Sequence, residues 1–403
     1  MPDTDRAQIL PALQKANDRL VTWCRDDALP FWSMQAIDPQ GGFYESLELD
    51  GTPVANMLRR VRVQARLAYV YAHAFDLGWC TDNTASDRAW AQLTGPGFQS
   101  ENDLGGCAHL LNPDGSLHDG LRDTYAQSFV LLAGSWRYKA FGDEDSLKTA
   151  AATALFLDQH LTSPHGGYLE GTPLPQTPRQ TPRRQNPHMH LFESFLTLYQ
   201  HTKEDLWRDK ATAMCDLFLG HFFDSNRGVL REFFLPDWQL DPAQGDLVEP
   251  GHMMEWCWLL GEYGAACDIN VTPICRRLYA RALELGQQDL QPDAIQGYLC
   301  DVVSLSGRQP AMTYRSWPQT EYLKASITLA RLGDQDAEQT AAALIEQLFA
   351  TYLDVPLKGG YRDQYRTDGS ATAGPMQAST FYHLLSAAAV VDEYCNDTNR
   401  IIQ

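Results

Sequence analysis

An all-α ring of six helical hairpins, an (α/α)6 barrel with short β segments in its loops, is the fold the sequence predicts, and three observations predict it. Turn glycines followed by aromatic or apolar residues recur about every 60 residues, at Gly42, Gly106, Gly167, Gly228, Gly297 and Gly360. After each comes a long run with helical period, and in most units a second such run before the next glycine. The first run of a pair is apolar nearly all round, as in Met254-Glu-Trp-Cys-Trp-Leu-Leu260, whereas the second carries the charge. That difference suits an inner ring buried on both sides and an outer ring with one wet face. No Gly/Ser linker separates the units, so residues 1–403 read as a single catalytic domain.

Taken in order, the inner helices are expected over 62–77, 124–141, 186–200, 250–265, 318–332 and 375–393. Outer helices are expected over 82–92, 148–159, 207–222, 274–285 and 336–351. The first of these is the weakest, with Ser86-Asp87-Arg88 as its one cap signal. Pro187, Pro250 and Pro318 mark helix starts, because proline in a first turn gives up no hydrogen bond. Glu249 precedes Pro250 at the positive end of its helix, and His252 and Glu255 follow on one face. An imidazole in a first turn is expected to be neutral, since the helix N-terminus disfavours positive charge.

Charge and composition restrict the function. With 51 acidic against 32 basic residues the chain carries −19, which argues against nucleic acid and anionic membrane as partners and for a small neutral or cationic molecule. Neither a signal-peptide pattern nor an apolar stretch of membrane-spanning length occurs, and nine scattered cysteines suit reduced thiols, so a cytoplasmic location is expected.

The inner helices then align chemistry. Arg66, His190, His252, Glu321 and His383 each fall 23 or 24 residues after their turn glycine, and the second unit offers Tyr125 and Gln127. Polar residues favour helix starts in any protein, but Ser, Thr and Asp would be expected there rather than three histidines and an arginine. Metal ligation is not expected: His188 and His190 point in different directions, and there is no Cys-x-x-Cys or His-Glu-x-x-His. Nucleophile elbow, phosphate loop and dinucleotide fingerprint are also missing. Two histidine bases facing Arg66 suit removal of a proton from carbon beside a carbonyl, with the arginine on the enediolate oxygen. Trp317, Trp256 and Tyr125 offer flat faces for a sugar ring. Two other readings use the same helices. A glycosidase would need two carboxylates from among Asp123, Glu193, Glu255 and Glu321, and leaves the histidines idle. A helical-repeat scaffold without catalysis predicts a shallow concave face instead.

Gln64-Ala-Arg66, Asn186-Pro-His-Met-His190-Leu-Phe-Glu193, Glu249-Pro-Gly-His252-Met-Met-Glu255-Trp256, Trp317-Pro-Gln-Thr-Glu321 and Ser379-Thr-Phe-Tyr-His383 together resemble the N-acylglucosamine 2-epimerase superfamily. The resemblance spans nearly the whole chain and is strongest to the D-mannose isomerase branch. It implies the same (α/α)6 barrel, no metal or other cofactor, and a monosaccharide substrate. It implies His252 and His383 as the acid/base pair, and Arg66, Tyr125, Asn186, His190, Glu255, Trp317 and Glu321 around the sugar. The implied reaction is interconversion of D-mannose and D-fructose, with lyxose/xylulose as a further pair, through a cis-enediolate. Epimerisation at C2 of mannose, cellobiose or an N-acylglucosamine is the alternative within the family. The Pro- and Arg-rich loop 171–185 is expected at the mouth, as a rim or lid.

Overall fold

The computed structural model describes residues 3–100, 104–173, 183–287, 292–307, 312–334 and 336–402. Helix α1 (Asp3–Thr22) runs through a wide π turn, Trp23–Ala28, into α2 (Leu29–Gln35). Then follow α3 (Val61–Asp76), α4 (Thr84–Thr94), α5 (Thr124–Phe141), α6 (Glu144–His160), α7 (Asn186–Thr202) and α8 (Asp205–Leu217). The chain ends with α9 (Pro250–Cys267), α10 (Thr272–Gly286), α11 (Ser316–Arg331), α12 (Asp336–Ala350) and α13 (Phe381–Ile402).

Helices α3, α5, α7, α9, α11 and α13 each pack on the next, and α13 packs on α3, so the inner ring closes. Side-chain pattern explains which helices go inside. Along α9 every residue from Pro250 to Leu260 is buried, whereas α10 buries only Cys275, Leu278, Ala282 and Gly286, a stripe at helical spacing. This is the (α/α)6 barrel that the repeat predicted.

One hairpin is assembled differently from the sequence expectation. The outer partner of the last inner helix is not downstream of it; α1, from the other end of the chain, packs on α13 and α12. Asn17 donates to Asp392 at 2.9 Å across that joint. The last inner helix also starts later than residue 375, because Met376–Gln377 is a strand and Ala378–Thr380 a tight turn before α13.

Those short strands form a second ring. The segment leading into each inner helix pairs antiparallel with a segment of the following unit: Arg59–Arg60 with Leu110–Leu111, Arg122–Asp123 with Gly171–Thr172, and Arg183–Arg184 with Phe233–Phe234. Leu247–Val248 pairs likewise with Val303–Ser304, and Thr313–Arg315 with Gln364–Arg366. Met376–Gln377 returns to Ser46–Leu47 of the first unit. Most of the expected loop 171–185, residues 174–182, lies outside the described residues; its two feet are strands of this ring.

A third device ties the turns to the helices. Gln64 accepts from the Phe43 N–H at 2.8 Å and donates to the Phe43 carbonyl at 2.9 Å, and Gln127 and Gln319 hold Cys107 and Leu299 in the same way. His188 takes the place in the third unit, where its Nε2 accepts from the Tyr168 N–H at 3.0 Å. Gly42 shows why these turns use glycine: its φ is +65°, and a Cβ there would stand 2.5 Å from the Gln64 side-chain oxygen. His188 is therefore a structural histidine, and its burial pushes it down to about 3.

Candidate active site

Inside the strand ring, at the N-terminal turns of the inner helices, lies a cavity of about 350 Å3. Arg66, Tyr125, Asn186, His190, His252, Glu255, Trp317 and His383 all line it. Of the candidate site residues, Glu321 alone stands elsewhere. It is fully buried behind His383, with Oε1 2.8 Å from His383 Nδ1 and Oε2 2.7 Å from Lys324 Nζ. Its place is that of a partner to the histidine rather than a wall contact for a ligand. Trp256 also leaves the expected set: it is buried, stacks on Phe192 and Phe218, and donates to Gln185, so it is core.

The two central histidines have opposite electrostatics. His383 is buried, and burial followed by the nearby cations Arg66 and Lys324 holds its pKa well below the usual imidazole range. Burial raises Glu321, while Lys324 draws it back towards the carboxylate. A neutral His383 that donates from Nδ1 to Glu321 keeps the lone pair of Nε2 for the cavity. It is a base ready at neutral pH.

His252 corrects the expectation of a neutral first-turn imidazole. Its Nδ1 lies 3.1 Å from Glu232 and 3.6 Å from Glu249. Burial opposes its charge, yet these carboxylates prevail and push its pKa up to about 10. A helix terminus contributes only about 0.3–1 kcal/mol, while a carboxylate at these distances is worth on the order of 5 kcal/mol at an effective dielectric near 20. The imidazolium donates from both nitrogens. Asn186 Nδ2 stands 3.0 Å from Nε2 while its amide oxygen is buried without a partner; exchanging the two amide atoms sets that oxygen to accept from the imidazolium.

Around this pair the wall is a hydrogen-bonded frame. His190 is held below the usual imidazole range by burial; its Nδ1 is 3.0 Å from Glu193, which also accepts from Tyr382. Arg66 donates to the Tyr125 hydroxyl at 2.7 Å and to the Ser379 carbonyl at 3.4 Å, over the faces of Phe129 and Tyr382. No carboxylate pairs with it among the described residues, which leaves a cation for a developing oxyanion. Burial, with Glu321 nearby, raises the pKa of Glu255 well above the usual carboxylate range. Trp317 stands between the two histidines, 5.0 Å from the ring of His252 and 5.6 Å from that of His383.

Glu232 and Lys324 were missed by the sequence reading. A signal for Glu232 was present. Each turn glycine except Gly106 is followed three or four residues later by an acid, namely Glu45, Glu170, Glu232, Asp301 and Asp363. Glu45, Glu170 and Asp301 pair with Arg60, Arg184 and Arg315; Asp363 accepts from Thr380 at 2.6 Å. In the fourth unit the acid meets His252 instead.

Among the described residues three groups bring metal-ligand types within 4.8 Å of one another: His190, Glu193 and Glu255; Glu232, Glu249 and His252; Glu255, Glu321 and His383. No sequence spacing announces them, because each draws on at least two separated stretches of chain. In every group the histidine Nδ1 already faces a carboxylate at 2.8–3.1 Å, an arrangement of hydrogen-bonded pairs.

The profile of a family described as N-acylglucosamine 2-epimerase (GlcNAc 2-epimerase) matches residues 42–387. A mannose-6-phosphate isomerase of Rhizobium meliloti (strain 1021) is 34% identical over 388 residues, which covers 91% of this chain and 94% of that protein. A cellobiose 2-epimerase of Bacteroides fragilis is 24% identical over 361 residues, 85% of this chain and 89% of that one. The solved structure of a D-mannose isomerase superposes with a TM-score of 0.79 at 20% identity over 98% of this chain and 99% of the other, a likeness of fold.

Proposed function

The chain belongs to the N-acylglucosamine 2-epimerase family, and on that premise we propose that it interconverts D-mannose and D-fructose, with lyxose/xylulose as a smaller pair, without a metal. The observation that carries the reading is two histidines on one cavity of about 350 Å3 with opposite surroundings: His252 Nδ1 lies 3.1 and 3.6 Å from the carboxylates of Glu232 and Glu249, whereas His383 has Arg66 and Lys324 nearby and sets its Nδ1 on Glu321. His252 gives its proton to the ring oxygen O5 as the C1–O5 bond breaks and takes the proton of the O1 hydroxyl, so C1 becomes the aldehyde and the imidazolium is restored. His383 Nε2 then takes the proton from C2, and the electrons of that C–H bond form the C1–C2 double bond of a cis-enediolate as charge moves to the carbonyl oxygen O1. Arg66 and Tyr125 hold that oxygen. His383 returns the proton to C1, His252 moves the hydroxyl proton from O2 to O1, and the ketose results. Asn186, His190, Glu255 and Trp317 fix the remaining hydroxyls, and Glu321 fixes the tautomer of His383.

Return of the proton to C1 needs one base that moves a short way along one face of the enediolate, whereas epimerisation needs delivery to the opposite face of C2. The names of the relatives share chemistry at C1 and C2 and differ at the far end of the sugar. Incubation with mannose in D2O, followed by NMR, tests the reading. Fructose with solvent deuterium at C1 is expected. Glucose forming faster, with deuterium at C2, would place the protein with the epimerases, and no turnover of mannose or cellobiose would remove the reading.

A further inference from the structure

We propose that the preferred substrate is an aldose with an anionic group at the end remote from C1, a phosphate ester or a C6 carboxylate, and that Arg62 is its counter-ion. The inference rests on the isomerase reading for the orientation of the sugar, and on Arg62 for the charge. Arg62 lies one helical turn before Arg66 on α3 and lines both the catalytic cavity and an adjoining cleft of about 860 Å3. Tyr125 and Asn186 share that boundary. A hexose that reacts at C1 and C2 beside His383 has only its far end to send past this wall.

What singles out Arg62 is the lack of any partner. Arg60, Arg184 and Arg315 are each paired with an acid, Arg66 is bonded to Tyr125 and Ser379, and Arg122 of the cleft donates to the carbonyls of Gly105, Gly120 and Gln99. Among the described residues Arg62 has no hydrogen bond and no ion pair, only the face of Tyr125 beneath it at 5.3 Å. Asp123 is the acid that acts on it, but both its oxygens are spent, Oδ1 on the Ala126 N–H at 2.7 Å and Oδ2 on His109 at 2.6 Å. Of the other acids of the cleft, Glu170 is paired with Arg184, and Asp119 accepts from the Leu121 N–H through Oδ1. Burial, with Arg60 and Arg66 close by, works against the charge of Arg62. A half-buried guanidinium without an ion pair is matched when an anion arrives.

The test measures kcat and KM for mannose, mannose 6-phosphate and mannuronate, with wild type and with Arg62→Gln, and binding of mannose 6-phosphate by calorimetry. In the wild type at least one anionic sugar should show the higher kcat/KM, and which one identifies the group. Arg62→Gln should raise KM for that sugar by at least ~10-fold more than it raises KM for mannose, the usual worth of a charge-assisted hydrogen bond. Arg62→Lys should restore part of the loss, and added salt should weaken the preference. Turnover of mannose with neither anionic sugar preferred would overturn the proposal and leave the isomerase reading intact. Equal loss on all three sugars would also overturn it. If none is turned over, the isomerase reading falls, and calorimetry still decides the anion site: binding of mannose 6-phosphate lost in Arg62→Gln supports it, and binding unchanged overturns it.

Discussion

Glu232→Gln is the perturbation that best tests the acid role of His252. The pKa of His252 rises from an ordinary value near 6.5 to about 10, which corresponds to about 5 kcal/mol in favour of the imidazolium. That margin is what remains after burial has opposed two carboxylates at 3.1 and 3.6 Å. Since both carboxylates stand at similar distances, loss of one charge should remove a large share of it. The basic limb of kcat/KM should therefore lie near pH 10 in the wild type and at least about one pH unit lower in Glu232→Gln. Gln is isosteric, so packing against Gln185 is kept. The acidic side makes a separate statement: His383 is held well below the usual range, so activity should not fall as pH drops through 6.5. Stability follows the same sign. A histidine whose folded pKa is raised contributes fully below about pH 6.5 and loses that contribution as pH rises through about 10, so the urea midpoint should decline in that window, and less steeply in the variant. An unchanged basic limb in Glu232→Gln, or a wild-type basic limb near pH 6.5, would refute the assignment of His252 as the charged acid.

Three further outcomes are expected. His252→Ala and His383→Ala should each reduce kcat by at least ~10²-fold with unchanged circular dichroism, and near wild-type rates in both would mean that the proton carriers lie elsewhere. Lys324→Met removes the cation that matches Glu321 at 2.7 Å in a fully buried pair, and should cost about 3–5 kcal/mol in urea unfolding; a loss under about 1 kcal/mol would show that the pair carries little charge. Dialysis against EDTA should leave turnover unchanged, and activity lost and then restored by a divalent ion would turn one of the three histidine–carboxylate groups into a metal centre.

The barrel was legible in the sequence because its cause is local. Whether a helix is apolar on all sides, as 250–260 is, or on one stripe, as 275–286 is, follows from side chains three and four residues apart. Turn glycines set the period, and equal spacing from glycine to helix brought Arg66, His190, His252 and His383 to one cavity. Closure was expected but its seam was not legible, since α1 meets α13 across 375 positions of sequence at Asn17 and Asp392, and strands of two or three residues carry no periodicity of their own. The charge of each histidine was beyond reach for the same reason. His252 and His383 look alike in the sequence, each near the start of an inner helix. Only folding adds Glu232 to the neighbouring Glu249 beside one, and puts Arg66 and Lys324 near the other. At separations of a few ångströms in a buried site, those through-space charges outweigh the helix terminus that the sequence does reveal.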